Sequence, residues 1–259
     1  MRTIAVINLK GGVGKTTTVV NTAAILARDY RQRVLLVDAD SQCNTTDFFG
    51  VDGATPNLAD LLRETAAGVS DVVEAYIHPT GTKGVDMIPA DETLMDLDLT
   101  KVELGSVQAG TLRSVRLCME ETDAYDWCLV DCPPGFNAAS AAALVAADEV
   151  IIPIKLDAFS IRGMANMMRQ IANMRRINDK LRLGGLLPTQ WYNSPKIVDA
   201  EAELQKSGLP VYPHIRRSNK VDDMTFAQEP LAVSSPRSAA GVDYRRFVQA
   251  LLKGGFYHG

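Results

Sequence analysis

A glycine-rich segment near the amino terminus contains the residue types that bind phosphate groups. Residues 9–17 read Leu-Lys-Gly-Gly-Val-Gly-Lys-Thr-Thr, between a short apolar run and a helix-forming run. Glycines let the backbone curl so that successive N–H groups point into one concavity, and the following helix adds the positive end of its dipole. In such a loop the lysine after the last glycine bridges the β- and γ-phosphates, and the next hydroxyl ligates Mg²⁺. We therefore predict a site for ATP and Mg²⁺ formed by Gly11, Gly12, Val13, Gly14, Lys15, Thr16 and Thr17.

Three acidic residues stand where apolar runs end. Asp38 and Asp40 follow the run that begins at Val34, and Asp131 ends the run that begins at Trp127. Carboxylates at the exit of an apolar strand suit a metal site better than a core, and an acid in the place of Asp131 can hold a water of the Mg²⁺ shell. A solvated turn remains the alternative for Asp38 and Asp40.

Short apolar runs alternate with helix-like stretches along the chain, which predicts an α/β fold. Most runs lack apolar–polar alternation, as expected for strands buried on both faces of a parallel sheet. We predict one domain over residues 1–259, with a doubly wound, mostly parallel sheet flanked by helices. The predicted strands are Thr3–Asn8, Val34–Asp38, Val85–Pro89, Trp127–Asp131, Val150–Ile154, Leu183–Pro188 and Val211–Ile215. The predicted helices are Thr16–Asp29, Ala138–Ala147, Gly163–Ile177, Ile197–Ser207 and Val242–Leu252, the last ended by Gly254 and Gly255.

The phosphate loop departs from the usual G-x-x-x-x-G-K-[ST] pattern, since Leu9 replaces the first glycine and Lys10 lies inside the loop. The string K-G-G-V-G-K-T-T-T resembles the deviant Walker A motif of the dimerising ParA/MinD/Soj ATPases. The resemblance implies that Lys10 reaches the ATP of a partner subunit in a homodimer, with Lys10, Lys15 and Asp40 catalytic. It also implies that Thr16, Asp38 and Asp131 serve the metal and that Asp40 orients the attacking water.

The resemblance extends over most of the chain. Asp131, Pro133 and Pro134 match the family's D-x-P-P pattern, whereas Ser41 and Cys43 depart from its Pro and Gly. Pro188, Thr189 and Gln190 resemble the segment beside the adenine in plasmid-partition ATPases. The resemblance implies slow ATP hydrolysis that is stimulated by DNA and by a ParB-like centromere-binding protein. No helix-turn-helix precedes the loop, so the sequence resembles the short, Soj-like type.

Charge is distributed unevenly between the two halves of the chain. Residues 1–150 hold 11 basic and 22 acidic side chains, whereas residues 151–259 hold 16 basic and 9 acidic ones. In the family, basic residues of the back half bind DNA nonspecifically in the ATP dimer. The resemblance therefore points to Arg216, Arg217 and Lys220, with the arginines from Arg162 to Arg176 as further candidates or as a solvated helix face.

Other functions of this superfamily remain open. A MinD-like membrane-associated regulator of cell division would need a basic amphipathic helix at the carboxyl terminus, and residues 245–259 are a poor candidate for one. An iron–sulfur protein would bridge a cluster with cysteines, but no C-P-x-C occurs, and we predict that the four cysteines are free thiols. A tyrosine kinase would have a tyrosine-rich tail, where only Tyr257 stands. A nucleotide-dependent switch that hydrolyses very little ATP is also compatible with the sequence. We find no secretory signal or membrane-spanning run, and expect a cytoplasmic, nucleoid-associated protein without membrane contact.

Overall fold

A seven-stranded sheet organises the structure, a computed structural model that describes residues 1–63, 73–96 and 107–254. In the sheet the strand order is β3-β4-β2-β5-β1-β6-β7, and all neighbours are parallel except β3 and β4. This confirms the predicted doubly wound, mostly parallel α/β fold. The strands are β1 (Arg2–Val6), β2 (Val34–Asp38), β3 (His78–Pro79), β4 (Val85–Ile88), β5 (Trp127–Asp131), β6 (Glu149–Lys155) and β7 (Arg182–Thr189).

Helices cover both faces of the sheet. In the described residues they are α1 (Lys15–Tyr30), α2 (Asn44–Phe48), α3 (Leu58–Arg63), α4 (Val107–Glu121), α5 (Ala138–Ala146), α6 (Ala158–Met174), α7 (Pro195–Lys206), α8 (Lys220–Ala227), α9 (Leu231–Ser234) and α10 (Ala239–Lys253). Single turns of 3₁₀ helix lie at Val73–Tyr76 and Glu92–Asp96. None of the described helices is long and apolar enough to cross a lipid bilayer.

The apolar runs form two core layers, one on each face of the sheet. Along β1, Ile4 and Val6 pack with α1 and α10, whereas Ala5 and Ile7 pack toward α3–α7. Every residue of β2 and β5 is buried, because helices cover these strands on both sides. The unbroken apolar runs seen in the sequence therefore reflect two-sided burial.

The last helix begins three residues earlier than expected. The Oγ of Ser238 accepts a hydrogen bond from the Gly241 N–H (3.1 Å), so this serine caps α10 and the helix starts at Ala239. Gly254 ends the helix in the left-handed conformation (φ 61°), as predicted, while Gly255 lies outside the described residues.

The predicted strand Val211–Ile215 is wrong. This segment follows the edge of β7 through isolated bridges, including hydrogen bonds from Tyr212 N to Leu186 O and from Ile215 N to Pro188 O (both 2.8 Å). Pro213 interrupts the pairing because proline has no N–H to donate to a ladder. The segment is still fixed beside the end of β7, which matters for the site.

Candidate nucleotide site

The predicted phosphate loop lies where the winding of the sheet reverses direction. β1 pairs with β5 on one side and with β6 on the other, so the loop after β1 opens at the carboxyl edge of the central strands. Crevices at such a switch point are the usual ligand sites of doubly wound sheets. The fold therefore brings the residues after β1, β2, β5 and β7 to one place.

Backbone conformation shapes the loop to receive an anion. Gly12 (φ 69°) and Gly14 (φ 85°) are left-handed, a conformation that side chains disfavour. Gly14 is the residue before α1 and has no side chain with which to cap the helix, so the first N–H groups of α1 are directed toward the crevice. The Lys15 side chain, 7% exposed, places its Nζ 3.4 Å from the carbonyl oxygen of Lys10. An ammonium and a helix amino terminus thus converge on the same concavity.

Residues at the end of β7 form hydrogen bonds to the backbone of the phosphate loop. Thr189 Oγ1 donates to Val13 O and Gln190 Nε2 donates to Gly12 O, both at 2.7 Å. Pro188 precedes them and accepts the hydrogen bond from Ile215 N. The three residues predicted beside the adenine therefore lie next to the phosphate loop, and two of them bond to its backbone.

A cavity of about 270 Å³ continues from the loop along this wall. Gly14, Thr17, Thr189 and Gln190 line one side of it, and residues 215–219 line the other. The cavity therefore extends from the phosphate loop in the direction where the rest of a nucleotide would lie.

Asp38 and Asp131 lie side by side at the ends of β2 and β5. They are direct partners in the parallel ladder, so both side chains point to the same face of the sheet. Asp131 Oδ2 accepts hydrogen bonds from Thr16 Oγ1 (2.6 Å) and Thr45 Oγ1 (2.7 Å). Asp38 Oδ2 accepts from the N–H and the hydroxyl of Thr46, both at 2.8 Å. The phosphate loop, both acids and α2 are thereby joined in one network.

The carboxylates fit a hydrated Mg²⁺ ion. Asp131 Oδ1 is buried and has no hydrogen-bond partner among the described residues, which leaves one oxygen for a metal-bound water. Burial raises the pKa of Asp38 and that of Asp131; the neighbouring Asp131 raises that of Asp38 further, whereas the Thr16 and Thr45 hydroxyls lower that of Asp131. A bound cation would offset the free-energy cost of burying the two charged carboxylates. Since the described residues hold no cluster of three acidic, histidine or cysteine ligands, the ion would depend on phosphate oxygens and water as well.

Asp40 lies in the turn after β2, 6% exposed. Its N–H donates to Asp38 Oδ1 (3.1 Å), and its own Oδ1 accepts from Gln42 N (3.1 Å). Cys43 then adopts a left-handed conformation (φ 55°), at the position where the resembling family has glycine. The turn keeps its glycine-like path although a cysteine occupies it.

Lys10 lies at the mouth of the site and forms an ion pair with Asp157, which follows β6. Its Nζ is 2.7 Å from Asp157 Oδ2, and the two side chains are 40% and 31% exposed. The Lys10 backbone is fixed by a hydrogen bond to Asn8 Oδ1 (3.0 Å). Both charged groups are reachable by a second molecule.

The residues predicted to bind DNA have different surroundings. Arg216 forms a two-pronged ion pair with Asp243 (Nε–Oδ2 2.7 Å, Nη2–Oδ1 2.8 Å), and its partner is only 2% exposed. Arg216 and Arg217 both line the cavity beside the phosphate loop. Lys220 is exposed and pairs with Asp223 at 2.7 Å. Of the arginines of α6, the side chain of Arg162 lies outside the described residues.

Sequence reasoning missed four residues of this site: Asn8, Thr45, Thr46 and Asp157. The two threonines follow the Asp38–Cys43 turn as the second and third residues of α2. A pair of hydroxyl residues so soon after two acids was the signal that could have indicated them. Asp157 lies far from Lys10 in sequence, and only the parallel pairing of β1 with β6 brings it near. The four cysteines, all within the described residues, form no disulfide, as predicted, and Cys128 and Cys132 are buried.

Comparisons with known proteins identify relatives of this chain. The family model AAA_31, described as an AAA domain, matches residues 1–183. The chain is 36% identical over 194 residues to the chromosome partitioning protein ParA of Caulobacter vibrioides, covering 74% of this chain and 70% of the relative. It is 31% identical over 256 residues to the chromosome-partitioning ATPase Soj of Thermus thermophilus, covering 97% and 96%.

Solved structures show the same fold. The chain superposes with a TM-score of 0.78 on the crystal structure of cobyrinic acid a,c-diamide synthase from Mycobacterium smegmatis with bound ATP analogue and magnesium. The two are 28% identical, and the match covers 98% of this chain and 95% of the other. By its relatives and its fold, this chain belongs to the ParA/MinD superfamily of P-loop ATPases, among the ParA/Soj-type partition ATPases.

Proposed function

We propose that the protein is a Mg²⁺-ATP-dependent, dimerising ATPase that partitions DNA. The observation that carries this proposal is the pair of lysines in one phosphate loop: Lys15 buried in the concavity and Lys10 at its exposed mouth. One lysine per loop is sufficient for binding phosphate in cis. A second, outward one is suited to phosphate oxygens bound by another subunit.

The residues of the site divide the chemistry among them. The N–H groups of the loop and Lys15 bind the phosphates, while Thr16, Asp38 and Asp131 hold Mg²⁺ and its waters. When bound, Mg²⁺ neutralises charge on the β- and γ-phosphates. Asp40 orients the attacking water, and Lys10 stabilises the charge that builds on the γ-phosphate of the partner's ATP as its bond to ADP breaks. The similarity to the partitioning ATPase Soj, and the ATP analogue and magnesium bound in a solved structure of the same fold, support ATP and Mg²⁺ as the ligands.

The dimer would replace one ion pair by another. For Lys10 to reach across, its ammonium has to leave Asp157, and the exposure of both groups keeps the cost of that exchange low. Two ATP molecules would then be enclosed between two subunits. This supports turnover that depends on protein concentration.

DNA binding in the ATP state is the remaining part of the proposal. Residues 151–259 carry the basic excess, and Arg217 and Lys220 are exposed. What distinguishes Arg216 from Arg217 on the cavity wall is its two-pronged ion pair with the buried Asp243, which favours a nucleotide-facing role for Arg216. We therefore assign the DNA contacts to Arg217 and Lys220, which would make phosphate contacts without sequence preference. A ParB-like partner that stimulates hydrolysis and a nucleoid location complete the hypothesis.

The described part of α10 argues against the MinD-like alternative. Its apolar residues, among them Tyr244, Phe247 and Leu251, are buried in the core layer that contains α1. An apolar face used for packing is not available to insert between lipids. Residues 255–259 lie outside the described residues.

A mobility shift on nonspecific duplex DNA tests the proposal, with ADP, ATP and a nonhydrolysable ATP analogue. We expect retardation with ATP and the analogue only, and loss of it when salt is raised. The double variant Arg217→Ala/Lys220→Ala should bind DNA at least tenfold more weakly while it keeps its ATP-dependent dimer. Lys206→Ala/Lys196→Ala provides the matched control. DNA binding that ignores the nucleotide, or binding to anionic vesicles instead of DNA, would refute the partition function.

A further inference from the structure

A second and larger cavity lies at the opposite end of α1 from the phosphate loop. It is open, has a volume of about 860 Å³, and is formed by the carboxyl end of α1, the end of α2, the turn before β4 and the connection from α8 to α9. A helix of 16 residues is about 24 Å long, so this cavity is well separated from the nucleotide site. Its volume is within the usual range of ligand pockets. We call it the α1 groove.

The floor of the α1 groove is apolar. Ala27, Phe48, Phe49 and Pro230 line it, and the two phenylalanine rings pack edge to face with their centroids 5.3 Å apart. Val233, half exposed, forms part of the wall. An apolar floor of this kind favours a partner that inserts an aromatic or aliphatic side chain.

The rim of the α1 groove is cationic. Arg28, Arg31, Arg33 and Lys83 line it, although residues 1–150 hold twice as many acidic as basic residues. Glu229 is the one acidic side chain that lines the groove within the described residues. Arg33 is paired with Asp126 (2.8 Å), whereas Arg31 and Lys83 are exposed and form no ion pair with the described residues. Two cations are therefore available to an anionic partner.

From these features we infer that the α1 groove is a docking site for an acidic peptide segment of a partner protein. The segment carries an aromatic or aliphatic anchor for the floor and flanking carboxylates for Arg31 and Lys83. Charge complementarity selects the acids, and the half-exposed Val233 beside the apolar floor favours a peptide with an apolar anchor over DNA, whose phosphates would contact only the cations. This surface goes beyond the proposed partition function and does not depend on it.

The wall of the groove is tied to the metal site by α2. Gln228 Nε2 donates to Asp47 O (2.6 Å), which joins the α8–α9 connection to α2. The same short helix provides Thr45 and Thr46 to the two buried carboxylates and Phe48 to the groove floor. A segment docked in the groove therefore contacts an element of the nucleotide site without entering that site.

Selection from a library of random dodecapeptides on the full-length protein tests this inference. Counter-selection on the variant Arg31→Glu/Lys83→Glu removes peptides that bind elsewhere. We expect enrichment of sequences in which two or more acids flank an aromatic or leucine residue. A fluorescent copy of the most enriched peptide should bind at least tenfold more weakly to Arg31→Glu/Lys83→Glu and to Val233→Asp, by anisotropy.

The control is Lys180→Glu/Lys196→Glu, which makes the same change of net charge at two exposed lysines outside the groove. It should bind the peptide like the unchanged protein, and all variants should keep the native circular dichroism spectrum. The inference fails if no acidic–apolar motif is enriched, or if the enriched peptide binds all variants equally. It also fails if Arg31→Glu/Lys83→Glu loses nonspecific DNA binding or self-association instead of peptide binding.

Discussion

Replacement of Lys10 by alanine should separate stability from activity. The ion pair that this removes, Lys10–Asp157, joins side chains that are 40% and 31% exposed. Pairs of that kind contribute about 0.2–1 kcal/mol to the free energy of unfolding. For a domain of this size, about 1 kcal/mol corresponds to roughly 2–4 °C in Tm. We therefore expect Lys10→Ala to lower Tm by at most about 4 °C.

The effect on hydrolysis should be far larger. Removal of one preorganised donor to a developing negative charge typically costs about 10²–10³ in kcat. In the proposed dimer, Lys10 is such a donor, so ATP hydrolysis by Lys10→Ala should fall by about that factor. Dimerisation with a nonhydrolysable analogue, measured by sedimentation velocity, should be lost as well. Binding of a fluorescent nucleotide by the monomer should remain, because Lys15 and the loop N–H groups are intact.

Lys206→Ala is the matched control for this experiment. Lys206 pairs with Glu203 at 3.0 Å, and both side chains are more than two-thirds exposed. It should change Tm no more than Lys10→Ala does and leave hydrolysis unchanged. The reasoning is refuted if Lys10→Ala dimerises and hydrolyses ATP like the unchanged protein. A Tm loss well above 4 °C would instead identify Lys10 as a structural residue.

Three further predictions concern single residues. Asp40→Ala should bind ATP and accumulate as a dimer in sedimentation runs, because the water-orienting carboxylate is gone; fast turnover would remove Asp40 from that role. Gly241→Ala should lower the free energy of unfolding by about 1–3 kcal/mol, because its Cβ would lie 2.7 Å from Ser235 O. The control Gly110→Ala, whose Cβ meets nothing within 4 Å, should not destabilise the protein. Equal urea midpoints for the two variants would contradict this. Burial, together with nearby carboxylates, raises the pKa of Cys43 to about 12. Its thiolate fraction at pH 8 is therefore roughly a thousandth of that of an ordinary thiol, and Cys43 should react correspondingly slowly with iodoacetamide. Labelling as fast as that of glutathione would contradict this.

The sequence predicted the parts of the fold whose local signal and tertiary surroundings agree. β2 and β5 were placed residue for residue, because each is an uninterrupted apolar run that ends in an acid. Val211–Ile215 also begins and ends with a β-branched apolar residue, but it lies at a sheet edge and contains Pro213. Such a run does not reveal whether neighbouring strands pair with it on both sides. Edge position is a property of the assembled sheet.

For the site, sequence placed the residues that share a motif and missed those that share only a location. Gly12, Gly14 and Lys15 follow from the spacing within one loop. The hydroxyl of Thr46 reaches Asp38 through the turn between β2 and α2, and the carboxylate of Asp157 meets Lys10 through the pairing of β1 with β6. The ion pair between Arg216 and Asp243 spans 27 residues. The family resemblance suggested DNA contact for Arg216, which stays a prediction, and the ion pair with the buried Asp243 was not visible in the sequence.

The pairing of Asp38 with Asp131 has a consequence for variation in this fold. Because the two are direct ladder partners, the gap between their backbones is set by the spacing of adjacent strands, about 4.8 Å, and not by any loop. Loops before β2 and β5 can therefore gain or lose residues without moving the two acids apart. A single residue inserted within either strand would turn one acid to the opposite face of the sheet. We therefore expect length changes to be tolerated in the loops around these two acids and not within the two strands that carry them.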